Sequence, residues 1–146
     1  MAERLHLPQP FEELDHTADA GVLVHGQSAE QTLARLVLAL SAVLTGGGAV
    51  SAERDLTVQV ERGDRAAMAV DVLRELLFRF ECEMVVPESC AVTRFDPEHG
   101  CTVEVGVGPY DPEAHVDGLA LKAVTLHAAR FERDADGWLA QVVFDV

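Results

Sequence analysis

The sequence predicts an α+β fold in which two helices pack on a mainly antiparallel β-sheet. Two observations carry this prediction. In the first half of the chain, two segments repeat apolar residues at three- and four-residue steps, the spacing of a helix face. From Met84 onward the apolar residues alternate with period two, the spacing of half-buried strands. At 146 residues the chain suits one domain, so we assign residues 1–146 to a single domain.

The two helices carry recognisable start and stop signals. Residues 28–31 fit a capping box, in which Ser28 bonds forward to the backbone and Gln31 bonds back. The apolar residues from Leu33 to Leu44 then share one face, and the glycines at 46–48 end the helix. Asp64 can cap a second helix, which we expect to run to about Phe80.

The remaining apolar segments read as strands joined by turns. The candidate strands are Ala20–His25, Leu56–Glu61, Met84–Val86, Ala91–Phe95, Cys101–Val107, Leu119–Phe131 and Trp138–Val146. Turn residues at 96–100 and 134–137 predict two hairpins. The segment Gly108–Gly118 is rich in Pro, Asp and Gly, so it is expected to be an exposed loop.

The charge balance is strongly acidic. The chain has 25 Asp and Glu against 11 Lys and Arg, which gives a formal net charge of −14. Nucleic-acid binders usually carry a basic footprint that neutralises phosphates, so direct nucleic-acid binding is not expected here. An acidic surface suits a cation or a basic docking surface on a protein partner. The alternative is that the acidity only keeps the protein soluble.

The chain shows neither a disulfide framework nor a membrane segment. Its three cysteines, Cys82, Cys90 and Cys101, are odd in number and form no C-x-x-C pair, which argues against disulfides and a zinc site. We expect them to be reduced thiols that fill the core. No apolar run approaches the ~20 residues of a membrane helix, and no leader pattern opens the chain. A cytoplasmic location without membrane contact is the expectation.

Two segments concentrate carboxylates. Residues 12–21 hold four carboxylates and one imidazole just before a predicted strand, and oxygen ligands of this kind suit hard cations. The alternative is a solvated acidic turn in which Asp19 caps local backbone. The sequence given ends in Asp145-Val146, which sets a side-chain carboxylate beside a main-chain one. Two such anions repel unless a cation or strong donors lie between them, although an outward-facing Asp145 would need neither.

Other residues give weaker signals. In a strand, Lys122 would share a face with Val124 and Leu126, where it either extends its charge to solvent or pairs with a carboxylate. None of the six histidines lies at zinc-protease spacing. Nucleophile-elbow, Walker A and dinucleotide motifs are also missing, so we do not expect an enzyme. A small metal-dependent hydrolase built around His16 is the competing reading.

Four segments together resemble the archease family. Its opening D-H-T-A-D-x-G signature is similar to residues 15–21, and its late K-A-[VI]-T-[YL]-H strand is similar to Lys122–His127. The family's closing hydrophobic-Asp-[IV] end resembles Phe144–Val146, and the loop before the lysine strand resembles Tyr110–His115. The four segments occur in the family's order across nearly the whole chain. Leu126 departs from the pattern, since many members have tyrosine there.

The resemblance implies an accessory protein of an RtcB-type RNA ligase. Such ligases join RNA ends bearing a 3′-phosphate or 2′,3′-cyclic phosphate to a 5′-hydroxyl, with GTP and Mn²⁺, in tRNA splicing and RNA repair. An archease promotes guanylylation of the ligase and restores multiple turnover, and is not itself the enzyme. The alternative role suggested for archeases is that of a chaperone or modulator of an RNA-modifying enzyme such as a tRNA methyltransferase.

The resemblance also implies a divalent-cation site. Carried over to this chain, its ligands would be Asp19, Asp145 and the terminal carboxylate of Val146. Asp15, His16 and Lys122 would be supporting neighbours. Oxygen ligands separate Ca²⁺, Mg²⁺ and Mn²⁺ poorly, so the sequence does not choose among these three cations.

Overall fold

A computed structural model shows two helices and eight strands. The structure describes residues 2–15 and 19–146, and it gives only the backbone of Asp15 and Asp19. The described elements, in chain order, are β1 (Arg4–His6), β2 (Glu12–Asp15), β3 (Asp19–Gly26), α1 (Ala29–Thr45), β4 (Arg54–Val60), α2 (Arg65–Glu83), β5 (Val85–Asp96), β6 (Gly100–Pro109), β7 (Ala123–Asp134) and β8 (Gly137–Asp145). The predicted α+β class is confirmed.

The strands divide into two four-stranded sheets. The first has the order β1-β5-β6-β4 and the second the order β2-β3-β8-β7. Every pairing described between these strands is antiparallel. The short strands β1 and β2 were not predicted, because three- and four-residue segments are too brief to show an alternating pattern. Each completes one edge of its sheet.

Helix α1 lies between the two sheets. It contacts β5 of the first sheet and both β3 and β8 of the second. Thirteen of its 17 residues are buried, so the prediction of a single apolar face was too narrow. Ser28 accepts the N–H of Gln31 as predicted. The return bond differs from the prediction, because Gln31 Oε1 accepts the N–H of Gln27 at 2.7 Å and not that of the cap residue Ser28. Gly46 ends the helix in the left-handed conformation at φ 68°.

Helix α2 is amphipathic and runs three residues beyond the predicted end. Asp64 caps it by accepting the N–H of Ala67 at 2.9 Å. The helix continues to Glu83, whose carboxylate pairs with Arg54 of β4 and with Arg79 one turn earlier. Met84 then ends the helix in the left-handed region at φ 55°. Because this residue is not glycine, nothing in the sequence indicated the helix end at this position.

Two strand predictions need correction. The segments predicted as separate strands at 84–86 and 91–95 are one strand, β5, whose pairing with β6 shifts register twice. The strand predicted from Leu119 begins only at Ala123, and its register with β8 shifts between Thr125 and Arg130. Such bulges break the period-two pattern on which the predictions rested. The hairpins at 96–100 and 134–137 are confirmed.

The core occupies the space between the sheets and helices. Cys90 and Cys101 are buried in it as predicted, whereas Cys82 is exposed, which corrects its assignment as a core residue. Burial raises the pKa of both buried thiols to about 12. No helix in residues 2–15 and 19–146 is long and apolar enough to span a membrane.

Candidate functional site

The second sheet brings the two acidic segments of the sequence to one of its ends. The register of β3 with β8 places Asp19 opposite Asp145. The register of β2 with β3 places Asp15 opposite Ala20, one position further along β3. Directly opposed residues of an antiparallel pair have Cα atoms about 4.5–5.5 Å apart. We call this region the acidic sheet end and define it as Asp15, Asp19, Asp145 and Val146.

The position of Asp145 is fixed by the packing of the strand before it. Strand β8 lies between β3 and β7. Phe144 is 0% exposed and Val143 is 2% exposed, so the end of the strand is anchored in the core. Asp145 itself is exposed. The strand is therefore packed up to Phe144, and the exposed Asp145 beyond it matches the outward-facing alternative.

The carboxylate of Asp145 is not used in a described ion pair. Its backbone oxygen accepts the N–H of Lys122 at 2.8 Å, and its backbone lies opposite Ala123 of β7. Within residues 2–15 and 19–146, no cationic side chain lies at ion-pair distance from this carboxylate. Among the described residues, this exposed carboxylate thus has no cationic partner.

Lys122 does not lie in a strand as the sequence predicted. It precedes β7, and its side chain is exposed. Val124 is buried while Leu126 is 55% exposed, so the three residues do not form one apolar face. Ala128 adopts a left-handed φ of 56° inside the register shift of β7, and this irregularity accounts for the lost alternation. The backbone of Lys122 nevertheless reaches the acidic sheet end through Asp145.

The structure describes only some of the acidic and histidine side chains in residues 12–21. Glu12 lies in strand β2, not in an irregular turn, and its carboxylate is 3.6 Å from the imidazole of His25. That imidazole also lies 3.4 Å from Asp134. His16 falls outside the described residues, and the side chains of Asp15 and Asp19 do too. Among the side chains that are described, no three or more His, Cys, Asp or Glu residues form a metal-binding group.

Sequence reasoning missed a buried histidine in the loop after β6. His115 is 2% exposed, although the loop at 108–118 was predicted to be exposed. Its Nδ1 accepts the N–H of Asp111 at 2.9 Å, so its Nε2 carries the proton and donates to Ala49 O at 2.9 Å. The ring also packs on Tyr110, with centroids 5.3 Å apart. The only sequence signal was the resemblance of Tyr110–His115 to a family loop.

The chain is similar to known proteins over nearly its whole length. The model of the archease protein family matches residues 11–146. A protein archease from Methanopyrus kandleri is 34% identical over 140 residues, covering 94% of this chain and 99% of that protein. One from Methanosarcina acetivorans is 35% identical over 139 residues, covering 93% and 95%.

Solved structures show the same fold. The solution structure of protein 1598 from Methanobacterium thermoautotrophicum matches with a TM-score of 0.77 at 28% identity, covering 93% of this chain and 98% of that one. A crystal structure of a Thermotoga maritima protein, described as an archease and possible chaperone, matches with a TM-score of 0.58. At 20% identity the second match speaks for the fold alone.

Proposed function

The chain belongs to the archease family, and we propose that it is an accessory protein that activates an RtcB-type RNA ligase. In this proposal it promotes guanylylation of the ligase by GTP and restores multiple turnover, in tRNA splicing or RNA repair. The ligase joins the RNA ends, and the present chain carries out no bond chemistry. The partner, the metal and the non-enzymatic role are all parts of the proposal.

The observation that carries the proposal is the register at the acidic sheet end. Asp19 and Asp145 are 126 residues apart in the sequence, yet they oppose each other in neighbouring strands. Like charges directly opposite each other destabilise a sheet, so a compensating positive charge would stabilise two aspartates at this register. A divalent cation or a cationic surface of another protein would supply the compensation.

The residues at this end fit a divalent cation. We propose that Asp19, Asp145 and Val146 hold it, with Asp15, His16 and Lys122 as neighbours. The carboxylate of Asp145 is exposed and has no described cationic partner, and carboxylate oxygens are the ligands that Ca²⁺ and Mg²⁺ prefer. A bound cation would supply positive charge next to phosphate groups. The residues of this chain would position the carboxylates and keep them at the end of a rigid strand anchored by Phe144.

The overall charge supports a protein partner. A net charge of −14 opposes direct approach to RNA, whose phosphates carry the same sign. The same charge speeds encounter with a basic cleft such as one that binds nucleic acid. The chain would therefore reach an RNA-processing reaction through the enzyme, not through the RNA.

The proposal is tested by measuring guanylylation of the ligase with radiolabelled GTP. Asp145→Ala should abolish the stimulation, because it removes one of the proposed ligands. The fold should persist, since an exposed substitution of this kind usually changes stability by about 0.5 kcal/mol or less. Asp136→Ala is the matched control, because Asp136 is an exposed aspartate at the opposite end of the β7–β8 hairpin. Full stimulation by Asp145→Ala would refute the proposed site.

A chaperone role predicts a different result. A chaperone or modulator of an RNA-modifying enzyme would suppress aggregation of its client whether or not Asp19 and Asp145 are present. Light scattering of a heated client, with wild-type protein and with the Asp145→Ala variant, separates the two roles. Equal protection by both proteins, without any stimulation of guanylylation, would favour the chaperone.

A further inference from the structure

Two adjoining cavities form a groove around the end of helix α1. The larger has a volume of about 420 Å³ and the smaller about 240 Å³. Both are lined by Pro8, Ala42 and Gly47, so they form one continuous depression. We call this depression the α1 groove.

The floor of the α1 groove is apolar and open. Phe11, Val43 and Leu119 line its larger part. Leu119 remains 47% exposed, although its backbone N–H is fixed by Val43 O at 2.9 Å. A Cβ added at Gly47 would meet no heavy atom of the protein within 4 Å, so the chain leaves the space beside this residue open. An apolar side chain from outside could therefore enter without displacing the chain.

The rim of the groove is negative. Glu13 and Asp117 line the larger part, and within residues 2–15 and 19–146 neither forms an ion pair. The groove also lies at the C-terminal end of α1, where the helix dipole is negative and the last turn contains no basic residue. The two carboxylates and the helix dipole thus both make the electrostatic potential at the rim negative. An apolar floor with such a rim is complementary to an apolar side chain flanked by lysine or arginine.

The groove adjoins the acidic sheet end. Glu13 precedes Asp15 by two residues in β2. On the other wall, the segment from Leu119 leads directly to Lys122, whose N–H bonds Asp145 O at 2.8 Å. A partner that contacts the acidic sheet end therefore extends over the groove if its interface has the usual size of about 800 Å² per protein.

We propose that the α1 groove docks a basic segment of the partner protein, with one apolar side chain on the groove floor and basic side chains at the rim. The identity of the partner rests on the proposed function, whereas the chemistry of the segment rests on the groove itself. Docking here holds the partner, while the acidic sheet end acts on it. Substitutions in the groove should therefore weaken binding of the partner to this protein. They should not lower the activity of the partner once the complex is fully formed.

The first test measures ligase guanylylation as a function of the concentration of this protein. Leu119→Ser and the double variant Glu13→Lys, Asp117→Lys should each raise the half-saturating concentration by about tenfold or more, which corresponds to about 1.4 kcal/mol of binding free energy. Maximal stimulation should stay at the wild-type level. The effect of the charge reversal should shrink at high salt, because screening weakens attraction between exposed charges.

Matched controls exist for both changes. Leu126→Ser changes a leucine of similar exposure, 55% against 47% for Leu119, outside the groove. The double variant Glu61→Lys, Glu81→Lys makes the same change in net charge at exposed positions elsewhere. Both controls should leave the half-saturating concentration unchanged. If groove and control variants behave alike, the groove is not the docking surface, even though the proposed function stands.

A second test does not depend on the ligase. A peptide of alternating leucine and lysine and a matched peptide of leucine and glutamate are titrated into labelled protein, with backbone amide shifts as the readout. The basic peptide should shift amides around Ala42, Gly47 and Leu119, and the Glu13→Lys, Asp117→Lys variant should weaken it about tenfold. No shifts at the groove, or equal shifts with the acidic peptide, would overturn the proposal. Peptide binding without stimulation of the ligase would instead refute the proposed function alone.

Discussion

His115 links its own loop to the α1–β4 connection through its two ring nitrogens and contacts Tyr110 through its ring, so its removal should lower the stability of the fold. Nδ1 accepts the N–H of Asp111 within the loop, and Nε2 donates to Ala49 O in the connection between α1 and β4. The ring also contacts Tyr110, which packs edge-on against Phe80 of α2 at 5.1 Å. Alanine at position 115 removes both hydrogen bonds and the ring contact with Tyr110.

The expected loss follows from these contacts. Two hydrogen bonds contribute about 1 kcal/mol each, and leaving their partners unpaired adds a desolvation cost of about 1 kcal/mol or more. His115→Ala should therefore lower the free energy of unfolding by about 3 kcal/mol. For a chain of this length each kcal/mol lowers Tm by about 2–4 °C, so the melting temperature should fall by about 6–12 °C.

Urea unfolding followed by far-UV circular dichroism measures this loss. The midpoint should fall while the slope of unfolding free energy against urea stays constant, since the surface exposed on unfolding is nearly the same. His127→Ala is the control, because His127 is an exposed histidine on β7. A loss below about 1 kcal/mol, or one equal to that of His127→Ala, would refute the linking role of His115.

Two further predictions concern thiol reactivity and close packing. In the native protein Cys82 should react with a thiol reagent at pH 8, whereas Cys90 and Cys101 should not, because burial excludes the reagent and raises the pKa of both thiols to about 12. Titration with a chromogenic disulfide should give one reactive thiol before unfolding. Separately, Gly118→Ala should destabilise the fold by about 1–3 kcal/mol or more, measured by urea unfolding, since a Cβ there would overlap the backbone oxygen of Leu44.

These two predictions have simple controls. Unfolding in guanidinium should release all three thiols, so a count of three in the native state would contradict the described burial. Gly63→Ala tests the glycine argument, because a Cβ at position 63 would meet only Met68 Cγ, at 4.0 Å. Equal destabilisation by Gly63→Ala and Gly118→Ala would show that steric overlap is not the cause.

The helices could be predicted because their signals are local. Ser28 and Asp64 cap the helices with their own side chains, and both were identified from residue type and spacing. The end of α2 was predicted too early, since Met84 takes the left-handed conformation that normally indicates glycine. Local signals therefore located both helix starts and the end of α1, where Gly46 marks the boundary, but not the end of α2.

The arrangement of strands into two sheets could not be predicted in the same way. Sheet pairing joins segments far apart in sequence, such as β1 with β5 and β3 with β8. The alternating pattern of one strand indicates which face is buried but not which partner it meets. The near-complete burial of α1 follows from this pairing, because a sheet covers the helix on each side.

The candidate site was predicted from resemblance more than from residue chemistry. From spacing alone, Asp19 and Asp145 could each have been a solvated carboxylate without a ligand. Only the sheet register brings their backbones together. Lys122 was assigned to a strand that begins one residue later, and the bulge near Ala128, which ends the alternation within that strand, is also invisible in the sequence. His16 lies outside the described residues, so its supporting role stays a prediction.

The most direct test of the proposed role is multiple-turnover RNA ligation by the RtcB-type ligase of the same organism, in GTP and Mn²⁺, with and without this protein. The proposal predicts that wild-type protein restores repeated turnover and that Asp19→Ala does not. Ligation that turns over equally well in its absence, or stimulation that survives Asp19→Ala, would contradict the role assigned to the acidic sheet end.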